Sequence, residues 1–154
     1  MSKTDTLHPL IREEVSRLVA HVNTNILKGD AQMVVTCGLR SFDEQTKLFN
    51  QKPKVTNAKA GQSIHNYGLA FDFCLIKGGK TIWDVKADFD ADKVPDWMEV
   101  VKLFKDAGYT WGGDFRSIYD APHFEKTFGY TWQQLLALKN AGKTENGYVI
   151  IKIK

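Results

Sequence analysis

The run Leu69-Ala-Phe-Asp-Phe-Cys-Leu-Ile76 constrains this chain more than any other segment. It is rich in aromatic and aliphatic side chains. It is bounded by Gly68 on one side and by Lys77-Gly78-Gly79-Lys80 on the other. That length and those boundaries fit a buried central strand better than a helix, followed by a hairpin that returns through Thr81-Ile-Trp83. A strand of this kind needs partners on its edges and cover on its faces. Asp72 breaks the apolar run, and a carboxylate there is costly to bury unless it meets a cation or hydrogen-bond donors. Taken alone, Asp72 is as readily a solvated strand-end residue as a ligand.

The rest of the pattern supplies the partners and the cover. In residues 9–27, Leu10, Val15, Leu18, Val19, Val22 and Ile26 form one apolar stripe behind Pro9, which predicts a helix stopped by Lys28-Gly29-Asp30. Residues 32–37 predict a buried strand by their β-branched content. Ser41 and Glu44 have capping-box spacing, as do Thr131 and Gln134, so helices are expected from Phe42 to about Gln51 and up to about Ala141. A further helix is expected at 95–107, and short strands at Tyr109–Trp111 and around His123-Phe124-Glu125. The tail from Tyr148 is apolar and β-prone and is expected to add a strand. The chain has 154 residues, 43% of them hydrophobic, enough for one domain spanning 1–154, with a core at about 7–142 and a tail at 143–154. Trp83, Trp97 and Trp132 are expected in the core and His8 and His21 on helix surfaces, while Trp111, beside Gly112-Gly113, could line a cleft.

Two short segments gather chemistry. His65 precedes Asp72 across a bend at Gly68, and His123 follows Asp120 by three residues. Two histidines and two acids are the inventory of a hydrolytic zinc site: three protein ligands, an open position for water, and a carboxylate to move a proton. His65, Asp72 and His123 are the candidate ligands. Asp120 is the candidate proton carrier, although Asp-Ala-Pro is also an ordinary turn start. Glu125 shares a strand face with His123 and could be a competing base or could orient a ligand imidazole. Arg40, between Gly38 and a helix cap, could hold a substrate carboxylate or an oxyanion, or could simply cover the helix start. Cys37 and Cys74 are expected to be buried free thiols; neither has a Cys or His partner at metal-site spacing.

The motif Ser63-x-His65-x-x-Gly68-x-Ala70-x-Asp72 resembles the signature of the zinc D-Ala-D-Ala metallopeptidase family. Asp120-x-x-His123-Phe-Glu125 is similar to its L-alanyl-D-glutamate endopeptidase branch, found in phage endolysins and a Bacillus wall hydrolase. Gly38-Leu-Arg40-Ser41 followed by Gln45 resembles a third family segment, with Leu39 in place of the usual aromatic. The resemblance spans about residues 7–127. It implies an α+β, Hedgehog/D-Ala-D-Ala peptidase-like fold with a central antiparallel sheet flanked by helices. It implies Zn²⁺ on His65, Asp72 and His123, Asp120 as base, and substrate contacts from Arg40, Gln45 and Ser63.

The expected function is therefore a zinc peptidase acting on the peptidoglycan stem peptide at the L-Ala–D-Glu bond, as a monomeric, bacteriolytic endolysin. Asp rather than Glu at position 120 disfavours the alternative of a D,D-carboxypeptidase. An intact ligand and base set disfavours a non-catalytic wall-binding or structural module. A formal charge of +3 is too weak to argue for nucleic acid. No run approaches the roughly 18 apolar residues of a membrane span. The polar first segment lacks an apolar signal core, so synthesis in the host cytoplasm and action at the wall after release are expected.

Overall fold

The computed structural model describes residues 2–153. Within it the chain runs α1 (Pro9–His21), β1 (Gln32–Cys37), α2 (Phe42–Phe49), β2 (Ala70–Lys77), β3 (Lys80–Ile82), α3 (Asp96–Asp106), β4 (Thr110–Trp111), β5 (His123–Glu125), α4 (Trp132–Asn140), β6 (Thr144–Glu145) and β7 (Tyr148–Val149). The fold is α+β, and every strand pairing is antiparallel. β2 is the centre of the main sheet. β1 lies along one edge, while β5 and β3 share the other, β5 at Ala70–Asp72 and β3 at Leu75–Lys77. β4 then pairs with β5.

Alternation along β2 divides its side chains between two faces. Phe71, Phe73 and Leu75, none of them exposed, meet α1 and α3. Phe73 lies 4.3 Å from the Trp97 ring of α3 and 5.4 Å from Phe124 of β5. Fully burying each such side chain is worth about 1.5–3 kcal/mol, so this layer carries much of the stability. Asp72 points to the opposite face, which α1 and α3 do not cover.

The helix ends follow the sequence signals. Ser41 and Thr131 cap α2 and α4 with reciprocal bonds to Glu44 and Gln134. The expected helix at 9–27 ends in a wider π turn, Val22–Ile26, where the Asn23 side chain clasps both the N–H and the carbonyl of Met33 at the start of β1.

The expectations for His8 and for the tryptophans are corrected. His8 is not on a helix surface but is only 4% exposed. Its Nδ1 accepts from Leu10 N–H, capping α1, and its Nε2 bonds the Val149 carbonyl at 2.7 Å. The tail adds a strand, as expected, but in a separate two-stranded sheet. Asn146 and Gly147 both have positive φ, which suits a tight hairpin turn, so β7 folds back on β6 and docks through Tyr148 Oη–H to the Thr6 carbonyl. Of the tryptophans, Trp97 is fully buried, Trp132 is half-buried and Trp83 is 53% exposed. His21 is exposed, as expected. Among the described residues, no helix is long and apolar enough to cross a membrane.

Candidate metal and catalytic site

The register of the sheet assembles the site. Asp72 stands opposite Cys37 of β1 on one side and opposite His123 of β5 on the other. Opposed residues on neighbouring strands share a face, so all three side chains rise from the side of the sheet away from α1 and α3. His65 arrives from a short 3-10 turn, Ile64–Tyr67, that ends at Gly68 with φ of 70°. A Cβ on Gly68 would stand 2.7 Å from the His8 backbone nitrogen, so the bend needs glycine for both conformation and space.

His65 Nε2 lies 3.3 Å from Asp72 Oδ1, and His123 Nδ1 lies 3.4 Å from the same atom. The two rings are 5.0 Å apart. Their other nitrogens are committed. His65 Nδ1 is 3.1 Å from the Gly38 carbonyl, and His123 Nε2 is 2.7 Å from Glu125 Oε1. Those partners favour the tautomers whose lone pairs face Asp72. Neither ring N–H direction is aligned on Oδ1, which is buried and has no hydrogen-bond partner.

The electrostatics describe the same unmet demand. Burial alone would raise Asp72, but the flanking imidazoles outweigh it and hold the carboxyl well below its ordinary range. Burial would likewise lower His65 and His123, and the Asp72 carboxylate reverses both, so each is raised. Two imidazole nitrogens and an unpaired carboxylate oxygen are a donor set that suits zinc, which would take the place of the imidazole protons.

Asp120 sits at the rim. Its Oδ2 is 3.9 Å from His123 Nδ1, and its side chain is 46% exposed. Burial and the nearby Asp72 raise its pKa. Its backbone N–H donates to the Gly112 carbonyl, and a Cβ on Gly112 would collide with the Asp120 carbonyl and with His123 Cβ. Trp111 holds the same loop through Nε1–H to the Ala121 carbonyl at 2.7 Å; at 8% exposure it supports the cleft from below and does not line it.

Arg40, His65, Asp72, Asp120, His123 and Ser63 all face one cleft of about 330 Å³. Arg40 Nη2 is 3.9 Å from Asp72 Oδ2, and Arg40 Nη1 donates to Gln45 Oε1 at 3.0 Å. Ser63 Oγ accepts from His65 N–H and so starts the turn that presents the imidazole. Gln45 corrects its expected role as a substrate contact. It has no exposed surface, and its amide also donates to the Ala58 carbonyl at 2.8 Å, so it holds Arg40 from behind.

Two residues escaped the sequence reading. Cys37 has the histidine neighbour that spacing denied it: Sγ is 3.8 Å from His65 Nδ1 and 3.5 Å from Arg40 Nη2. Burial would raise this thiol, but His65 and Arg40 outweigh it and lower its pKa. Cys37 and Cys74 are both free, as expected, though Cys37 is only half-buried. Asn66 is a buried hub whose amide donates to the Arg40 carbonyl and accepts from Gly61 and Ser63 N–H. Its one local signal is the capping-box spacing from Ser63; the bond to Arg40, 26 positions away, is invisible in the sequence.

Comparison with known proteins follows the same lines. The chain is 42% identical over 126 residues to the peptidoglycan L-alanyl-D-glutamate endopeptidase CwlK of Bacillus subtilis, covering 77% of this chain and 72% of the relative. The chain belongs to the D-Ala-D-Ala metallopeptidase family. A family model described as D-alanyl-D-alanine carboxypeptidase matches residues 56–126, the stretch holding both motif segments. An L-alanyl-D-glutamate peptidase of a Listeria phage is 31% identical over 91 residues, which are 56% of this chain and 30% of that longer protein. Among solved structures, the L-Ala D-Glu endopeptidase ChiX of Serratia marcescens matches with a TM-score of 0.56 and 25% identity, covering 82% of this chain and 84% of that one. This metallopeptidase family thus contains relatives of the same fold named for the same bond.

Proposed function

We propose that this metallopeptidase is a zinc-dependent peptidoglycan hydrolase that cleaves the L-Ala–D-Glu bond of the stem peptide, as an endolysin. The observation that carries the chemistry is the buried, unpartnered Asp72 Oδ1 between two imidazole nitrogens whose far sides are already bonded. His65, Asp72 and His123 would hold Zn²⁺, which when bound supplies a Lewis acid for the scissile carbonyl and a more acidic water. The substrate class rests on the relatives named for that bond.

The chain's own groups do the rest. Asp120 lies at the cleft with its pKa raised, so it is suited to take a proton from the attacking water and deliver it to the leaving amine. Glu125 fixes the orientation of His123 and, being engaged by Nε2, is less available as the base. Arg40, held by Gln45, offers a planar fork to a carboxylate of the acidic stem peptide. Residues 1–154 act in this reading as one catalytic domain.

Metal removal tests the reading. Protein with zinc added back should contain about one zinc per chain and clear suspensions of purified cell walls; stripped protein should not. Equal clearing by metal-free protein, or undiminished zinc content in His123→Ala, would remove the metal site from the account.

A further inference from the structure

The connection between β3 and α3 plays no part in that chemistry. Its residues Asp88-Phe-Asp90-Ala-Asp92-Lys-Val94-Pro-Asp96-Trp-Met-Glu99 carry acids at the first, third, fifth, ninth and twelfth positions. That is the spacing of an EF-hand calcium loop, in which those side chains and the seventh carbonyl supply the oxygens. The backbone follows suit. Lys93, at the sixth position where such loops have glycine, takes φ of 72°, and its N–H donates to Asp88 Oδ2 at 2.9 Å. α3 leaves the loop from Asp96, but a strand enters it where an EF-hand has a helix.

Spacing and turn geometry alone would describe a solvated acidic loop. Asp96 decides otherwise. It has no exposed surface, its Oδ1 accepts only from Phe89 N–H, and its Oδ2 is buried without any donor. Carboxylate oxygens of Asp88, Asp90 and Asp96 lie within 4.8 Å of one another, and so do those of Asp90, Asp92 and Glu99. Asp88 Oδ1, Asp90 Oδ2 and Glu99 Oε2 are also buried and unpartnered. Among the described residues, no Lys or Arg forms an ion pair with any of the five acids.

We propose that Asp88, Asp90, Asp92, Asp96 and Glu99, with the Val94 carbonyl, form a Ca²⁺ site that fixes the start of α3. An all-oxygen set with no imidazole or thiolate selects a hard cation over zinc. A flexible loop rich in carboxylates suits Ca²⁺ over Mg²⁺, which keeps more of its waters and demands a stricter octahedron. The site also touches the catalytic loop indirectly. Trp97, inside the twelve residues, donates Nε1–H to the Ala121 carbonyl, next to Asp120.

The test uses protein stripped of metal and titrated with CaCl₂ by calorimetry, with thermal unfolding followed in parallel. One Ca²⁺ per chain is expected, with Tm rising by about 5–10 °C at a hundredfold excess over Kd. Asp90→Asn and Glu99→Gln should each weaken Ca²⁺ binding by about tenfold or more. Both relieve like-charge crowding, so neither should lower the Tm of metal-free protein, which separates lost binding from failed folding. His65→Ala should bind Ca²⁺ as the wild type does. No heat and no Tm change at millimolar Ca²⁺ would overturn the site, as would an unchanged response in Asp90→Asn. Equal stabilisation by MgCl₂ would overturn the choice of calcium, and loss of the response in His65→Ala would place the ion in the other cleft.

Discussion

Replacing Gln45 by methionine should damage the enzyme without touching anything at the cleft surface. The side chain is fully buried and makes two bonds, accepting from Arg40 Nη1 and donating to the Ala58 carbonyl. Methionine preserves the approximate volume and removes both. A bond to a charged donor is worth about 1.5–3 kcal/mol and a neutral one about 0.5–1.5 kcal/mol, offset in part because methionine loses no amide hydration on burial. The net cost should be about 2–4 kcal/mol, or roughly 5–15 °C in Tm for a domain of this size. Arg40 would keep its charge but lose the bond that aims it, so kcat/KM on purified walls should fall about tenfold or more while zinc content stays the same. Thermal unfolding, metal analysis and wall clearing read the three quantities. A Gln45→Met protein with wild-type Tm and turnover would show that Arg40 needs no support from behind and that the role assigned to Gln45 is wrong.

Asp120→Asn keeps the shape of the rim residue and removes its proton acceptor. It should retain zinc and lose on the order of 10²–10⁴ in rate, the range for a lost general base; an active Asp120→Asn beside a zinc-loaded but dead Glu125→Gln would move the base to Glu125. His8 gives a pH dependence of stability. Burial and the nearby Arg12 lower its pKa below 6.5 against the opposing pull of the Val149 carbonyl, so below pH 6.5 the unfolded chain takes up a proton that the native chain does not. Stability should therefore fall as pH drops through 6.5 and level off once the native His8 also titrates. His8→Asn, which keeps a cap acceptor but does not titrate, should lose that part of the slope in a Tm series from pH 7.5 to 5. An identical slope would assign the effect to other groups.

Much of the site was legible because its anomalies are local. An aspartate in an apolar strand, a glycine at the bend before it and a histidine three residues after an aspartate are visible without coordinates, and they converge here. What the sequence hid depends on register and long-range closure. Cys37 is 35 positions from Asp72 and stands opposite it only because β1 pairs with β2 through an irregular register between Val35 and Cys37. His8 looked like helix surface because its partner, the Val149 carbonyl, is contributed by a tail that folds into its own hairpin. Gln45 matched a motif position but not its expected contact, since the motif could not tell a residue in the cleft from one buried beneath it. Trp83 looked like core by its chemistry, yet it follows β3 where the sheet has no further strand to cover it.

The central claim, that this site hydrolyses the L-Ala–D-Glu bond, is tested most directly by mass analysis of purified peptidoglycan digested with the zinc-loaded protein and labelled at its new amino termini. The account predicts fragments carrying a newly exposed N-terminal D-Glu. Free D-Ala as the only new product would contradict it and make the protein a carboxypeptidase of the same family.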